Sequence, residues 1–271
     1  MGEEKVSVET KNIISNFYRK ADKYADRLDL HGELAYKEYV EFVKRFVAQN
    51  STILDLGCGT GLPSLLLAKE AYRVIGMDIS PVFVERAKIK ERDNLKFTCG
   101  DILNIPFKDM TFDCVAIFLV IEHVPDIPAA LDEMLRITKP GGKIIILSPN
   151  LLSPFNILYP LIDSLFGKKV NFMFGVNNPW KIGLLLVKNT LLLLKKEFCT
   201  KATFNYRKPV LENRVDFIAD NDSVYLACPV DFKHYFQEIK TAKIINYQGF
   251  GKIGKIFPDF STGIHIVIKK N

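Results

Sequence analysis

One stretch constrains this chain more than any other: Ile53-Leu54-Asp55-Leu56-Gly57-Cys58-Gly59-Thr60-Gly61. An apolar run with a single acid enters a glycine-dense turn, and a helical pattern follows from Leu62. A buried strand that passes through a tight loop to a helix N-terminus aims backbone N–H groups at a nucleotide-like ligand. The spacing is Gly-x-Gly-x-Gly, and Leu62 stands where a dinucleotide fingerprint requires its third glycine. A nicotinamide enzyme is therefore the weaker reading, and a different adenosine cofactor is expected.

Residues 51–148 alternate short apolar runs with helical stretches. Strands are expected at Ile53–Leu56, Arg73–Asp78, Leu95–Cys99, Phe112–Val120 and Lys143–Leu147. Helices are expected at Leu62–Glu70, from Pro81 to about Glu91, and at Ile127–Ile137. Alternation of this kind implies a parallel sheet with helices on both faces. Upstream, residues 1–50 read as amphipathic helices, with Ile13, Phe17, Tyr24 and then Tyr36, Tyr39, Val43 recurring at helical spacing. They pack on the domain edge in the plainer reading; in the sharper one Tyr18 or Tyr24 forms part of a lid. After 149 the rhythm breaks until a helix expected at Asp231–Ile239. Ala242–Tyr247 and Ile264–Ile268 then read as strands with no helix between them, able to pair antiparallel.

Composition excludes several classes. With 271 residues, 48% apolar and 25% charged, the chain can bury a sizeable core. A net charge of +6 permits an anionic partner, but no Lys/Arg block with interleaved aromatics signals nucleic acid. Cys58, Cys99, Cys114, Cys199 and Cys228 show no Cys-x-x-Cys pairing, so neither zinc nor a disulfide framework is expected. The start, Met1 to Lys5, carries no apolar segment, and Val6 stands where myristoylation at Gly2 requires Ser or Thr. The most apolar window, 182–194, is interrupted by Lys188 and Asn189 and is too short to span a bilayer. A cytoplasmic protein, with peripheral membrane contact through 182–194 as its further option, is the expectation.

Acids stand at the ends of the first three strands: Asp55, Asp78 and Asp101. Ligands of open α/β sheets lie beyond the carboxyl ends of the strands, where these acids can read a nucleoside. Asp78 suits both ribose hydroxyls, and Asp101 with the Ile102 N–H suits adenine. Asp55 either braces the turn or meets a cationic amine through water.

Together with Asp78-Ile79-Ser80-Pro81, Gly100-Asp101, Phe112-Asp113, Glu122-His123-Val124 and Lys139-Pro140-Gly141-Gly142, the glycine turn resembles the class I S-adenosylmethionine-dependent methyltransferases, closest to the type 11 group. The resemblance covers about residues 50–150 and the terminal strands. It implies a Rossmann-like seven-stranded, mostly parallel sheet with an antiparallel last strand, and S-adenosyl-L-methionine as cofactor. Carried over, the cofactor contacts fall on Asp55, Gly57, Cys58, Gly59, Gly61, Asp78, Ile79, Asp101 and Ile102, with Phe118 flanking the methionine part. The Glu122-His123 pair also resembles metal-assisted ubiquinone-pathway O-methyltransferases, but Leu119 replaces their further glutamate, so no metal is expected. His123 is the candidate general base.

The expected organisation is an N-terminal helical cap over 1–50, a cofactor-binding domain over 51–148 and 229–271, and an inserted, largely helical lid over 149–228 on the substrate side. The lid's apolar stretches, with basic pairs at Lys168-Lys169, Lys195-Lys196 and Arg207-Lys208, suit a small-molecule, lipid-linked or glycan-linked acceptor or an anionic membrane surface. O-methylation is slightly favoured. A catalytically silent cofactor-binding regulator is the alternative, and a protein or RNA methyltransferase the weaker one. The Asn-Pro-Pro-Tyr motif of enzymes that methylate base amines is absent after the fourth strand.

Overall fold

A computed structural model describes residues 8–70, 72–167, 176, 178–212, 220–249 and 251–271. Gly2 and Val6, the Lys168-Lys169 pair and the Phe172-Met173-Phe174 run lie outside the described residues.

A seven-stranded sheet organises the chain, in the order β3-β2-β1-β4-β5-β7-β6. Its strands are β1 (Thr52–Leu56), β2 (Arg73–Asp78), β3 (Leu95–Cys99), β4 (Phe112–Phe118), β5 (Thr138–Pro149), β6 (Ala242–Gly249) and β7 (Gly263–Lys270). Strands β1 to β5 pair in parallel; β7 runs antiparallel to both β5 and β6. The Rossmann-like architecture expected from the resemblance is thus the one observed.

Strand residues alternate between two cores because successive side chains leave a strand on opposite faces. Leu54, Leu56, Val115, Ile117, Ile144 and Ile146 face α6 (Ile127–Ile137) and α9 (Pro229–Glu238). Ile53, Cys114, Ala116, Ile145 and Val267 face the other core, with α3 (Lys37–Phe46), α4 (Leu62–Lys69) and α5 (Pro81–Lys88). Ahead of α3 lie α1 (Val8–Tyr18) and α2 (Asp22–Asp29), which pack Ala21 and Ala25 against Phe83 of α5.

Three expectations need correction. β4 stops at Phe118, because Leu119 adopts a left-handed conformation (φ 55°) and turns the chain out of the sheet. α5 ends at Lys88, short of Glu91. A short helix α10 (Gly251–Ile256) and a 3-10 turn at Pro258–Phe260 separate β6 from β7, where no helix was expected.

Between β5 and α9 the chain forms α7 (Pro154–Leu165) and α8 (Pro179–Glu197), then a return whose described residues, 198–212 and 220–228, are not helical. Phe204, Tyr225 and Ala227 of that return enter the α6–α9 core, which ties it to the end of the sheet where β4 and β5 deliver their loops. Among the described residues no helix is long and apolar enough to cross a membrane.

Candidate active site

The glycine turn is fixed from below. Gly57 N–H and Cys58 N–H both donate to the Met77 carbonyl, at 2.7 and 3.1 Å. Gly57 adopts φ 70°, and a Cβ there would stand 2.3 Å from Val120 Cγ2. No other residue fits, because the turn after β1 and the turn after β4 touch at this point. Gly57, Cys58 and Gly59 line a cavity of about 500 Å³ at the carboxyl ends of the strands.

Asp78 closes the same turn. Its Oδ2 accepts from Gly59 N–H and its Oδ1 from Ser80 N–H, both at 2.9 Å. It faces the cavity with Ile79. Burial pushes its carboxyl up to about 6, although the backbone donors pull the other way. At the end of β3, Asp101 accepts from Leu103 N–H at 2.9 Å and lines the cavity beside Ile102. Phe118 also reaches the wall, its ring stacked on Tyr39 (centroids 5.0 Å apart, planes 15° apart).

Two expected cofactor residues lie elsewhere. Asp55 is buried behind the turn: Oδ1 accepts from Tyr39 O–H at 2.7 Å and Oδ2 from Ser64 O–H at 2.5 Å. With both oxygens committed and no exposure to the cavity, it braces β1 against α3 and α4. Gly61 is also outside the cavity wall. It caps α4 at φ 89°, and a Cβ there would meet Ala87 and Phe97 at 2.8 Å, so it serves close packing.

The far wall is polar. After Leu119 a 3-10 turn, Ile121–His123, brings Glu122 and His123 to the cavity. Glu122 is fully buried; Ser148 O–H donates to its Oε2 at 3.1 Å. His123 Nε2 lies 3.8 Å from Glu122 Oε1, and Nδ1 lies 3.7 Å from Asp222 Oδ2. Tyr18 O–H donates to the same Asp222 oxygen at 2.6 Å, and Tyr24 bonds Asp222 as well. Val224 and Tyr225 N–H groups donate to the Glu122 carbonyl at 2.8 and 2.9 Å, pinning the Asp220–Tyr225 segment to the turn. Among the described residues, Glu122 Oε1, His123 Nδ1 and Asp222 Oδ1 are buried without a hydrogen-bond partner. The orphaned atoms of Glu122 and His123, both residues of the cavity wall, mark that wall as built for a polar ligand.

Burial pushes the Glu122 carboxyl up to about 7, against the opposing pull of His123. For His123, burial acts to lower the pKa, but the charges of Asp222, Glu122 and Asp220 outweigh it and hold it above the ordinary histidine value. The site therefore pairs a basic imidazole with acids that can balance its cation.

Sequence reasoning missed Asp220, Asp222, Tyr36 and Arg27. Tyr36, Arg27 and Asp220 line the cavity. The available signal for the acids was Asp220-Asn221-Asp222-Ser223, a polar run between apolar stretches of the insertion. Tyr18 and Tyr24 sit in the cavity wall, as the lid reading of the N-terminal helices expects.

The family model described as "Methyltransferase domain" matches residues 54–146. A "Demethylmenaquinone methyltransferase" of Geobacillus sp. (strain WCH70) is 32% identical over 175 residues, 58% of this chain and 74% of that protein. The "Ubiquinone/menaquinone biosynthesis C-methyltransferase UbiE" of Rickettsia massiliae is 37% identical over 147 residues, 50% of this chain and 58% of that one. Among solved structures, a "SAM dependent methyltransferase from Aquifex aeolicus" shares the fold, with TM-score 0.53 and 14% identity over 92% of this chain and 98% of that one.

Proposed function

The chain belongs to the class I S-adenosylmethionine-dependent methyltransferases, and from that premise we propose that it methylates a ring carbon of a small quinone-type acceptor in its reduced, hydroquinone form. One observation carries the proposal: a single cavity joins Gly57–Gly59, Asp78 and Asp101 to a wall of Glu122 and His123, with Asp222 buried behind His123. The relatives' names supply the acceptor class and favour carbon, in place of the oxygen favoured by the sequence.

The residues present fit the cofactor. Asp78 would accept from the ribose hydroxyls, Asp101 and the Ile102 N–H would meet adenine, the glycine turn would admit the amino-acid portion, and Phe118 would flank the methionine chain. When bound, S-adenosylmethionine offers a methyl group on a sulfonium, and the thioether it leaves behind needs no acid to depart.

The chain's own task is to make and hold the nucleophile. A quinone ring is electron-poor; its hydroquinone becomes nucleophilic at carbon once a hydroxyl proton is removed. His123 takes that proton, and Asp222 and Glu122 balance the imidazolium. The negative charge spreads to the neighbouring ring carbon, which forms the new C–C bond. That carbon's own proton then leaves as aromaticity returns, and His123 gives the hydroxyl proton back to the ring oxygen, so one net proton is released per turnover. Tyr18, Tyr24 and Tyr36 enclose the space, holding the ring in line and excluding water.

Incubation with methyl-labelled S-adenosylmethionine and a reduced, short-chain demethylnaphthoquinol, followed by NMR of the product, tests the assignment. A ring C-methyl is expected from the reduced form and nothing from the oxidised form. An O-methyl ether would overturn the choice of carbon, and no transfer to either form would overturn the acceptor class. For the cofactor half, Asp78→Ala is expected to weaken S-adenosylmethionine binding by about 1–3 kcal/mol, the cost of unpaired hydroxyls. Unchanged calorimetric affinity in this variant would remove Asp78 from the site.

A further inference from the structure

The α7–α8 pair presents a face that no described part of the chain covers. Its inner side is fixed: Ile157 and Ile182 pack together, Asn189 Nδ2 donates to the Leu151 carbonyl at 3.0 Å, and Lys196 is buried on Asp231 at 2.5 Å. Opposite these anchors, Trp180, Leu184, Val187, Leu191, Leu194 and Phe198 recur at alternating four- and three-residue steps. All are exposed, Trp180 at 87%, Leu184 at 70% and Phe198 at 88%. α7 adds Tyr159, Ile162, Leu165 and Phe166, also exposed. An apolar surface this continuous is unusual on a chain that meets only water.

Charge says what it meets. Lys181, Lys188 and Lys195 are exposed seven residues apart and form a row along one flank of the apolar stripe. The other flank offers Gly183, Thr190 and Glu197, and Glu197 already lies 3.7 Å from Lys233. A second copy docked antiparallel on the same stripe would set lysine row against lysine row. An anionic lipid surface accepts both features at once, the stripe entering the acyl boundary and the lysines resting at the headgroups. We propose that the outer face of the α7–α8 hairpin docks this protein on the surface of anionic phospholipid bilayers.

Trp180 is the sole tryptophan of the chain and stands on the stripe, so the protein carries its own reporter. Vesicles of phosphatidylcholine alone and with phosphatidylglycerol are titrated into the protein, without cofactor or acceptor, so the outcome is independent of the acceptor assignment. A blue shift of Trp180 emission with the anionic vesicles, reversed by salt, is expected. The variant Lys181→Gln/Lys188→Gln/Lys195→Gln is expected to bind them roughly 100-fold more weakly. Leu184→Ser/Leu191→Ser is expected to abolish binding in flotation, while its circular dichroism melt matches the parent's because both positions are exposed. An unshifted Trp180 overturns the proposal, as does equal binding to neutral vesicles. A concentration-dependent shift without lipid, accompanied by dimers in sedimentation velocity, overturns it in favour of self-association.

Discussion

Glu122 is a carboxyl in a place that disfavours its charge. It is fully buried, one oxygen has no hydrogen-bond partner among the described residues, and burial carries its pKa to about 7. An acid whose folded pKa is raised weakens the fold above that pKa, and the penalty fades to nothing below the unfolded value near 4. Glu122→Gln is therefore expected to stabilise the chain at pH 8 by on the order of 1–3 kcal/mol, with the gain shrinking as pH falls through 7. Thermal melts at pH 8 and pH 4 check this, and methyl transfer by the same variant should fall because His123 loses a balancing charge. Asp222→Asn tests the other neighbour. Its charge holds the His123 pKa up, and a base works only when unprotonated, so the rate should climb with pH through that raised value. Removing the charge is expected to move the acid limb of the pH–rate profile to lower pH. It should also lower the plateau on the order of 10- to 100-fold, within the usual worth of acid–base assistance.

Among the elements, α8 depends on one buried ion pair. Lys196 is 2% exposed and Asp231 1%, and Tyr225 O–H and the Thr203 carbonyl complete the network. Lys196→Met leaves Asp231 charged without its cation and is expected to cost about 3–5 kcal/mol in urea unfolding. Strands and helices of the sheet were legible because their signals are local. β2, β3 and α6 occupy the residues that their apolar runs and helix-start prolines indicate. The glycine turn was legible for the same reason. What escaped the sequence was long-range: the Tyr39–Asp55 bond makes a brace of an apparent ligand contact, and Tyr18 meets Asp222 across 204 positions. Such pairings are decided by packing between elements, and no local pattern encodes them. α10 was missed because Gly251-Lys252-Ile253-Gly254 is a poor helix by propensity.

At the scale of the molecule, the N-terminal helices are held to the body by the Tyr18–Asp222 bond, by Ala21 and Ala25 packed against Phe83, and by ion pairs nearer the surface. Arg86 reaches Asp26 at 2.7 Å and Asp29 at 2.9 Å, and Lys11 reaches Asp126 at 2.8 Å. Surface pairs of this kind contribute little individually. Tyr18, Tyr24 and Arg27 nonetheless line the cavity, so a ligand bound there would add contacts to α1 and α2. Hydrogen exchange of residues 8–30 is expected to slow on addition of S-adenosylhomocysteine, and unchanged exchange would show that the helices do not respond to the site. At a hundredfold excess over Kd the whole chain should gain about 2.7 kcal/mol, visible as a rise in its thermal midpoint.

The place of β7 has a consequence for how the molecule is made. β6 precedes it in the chain yet touches β5 only through it, since β7 lies between them. While the chain is being synthesised, β5 holds an open edge of unpaired backbone groups and β6 has no neighbour to join. The sheet is completed by its final strand entering a gap. Open edges of this kind recruit other chains, so the interval before β7 emerges is when this protein is most exposed to aggregation. A ribosome stalled just short of Gly263 would hold a nascent chain with its cofactor loop already built and its sheet still open to strangers.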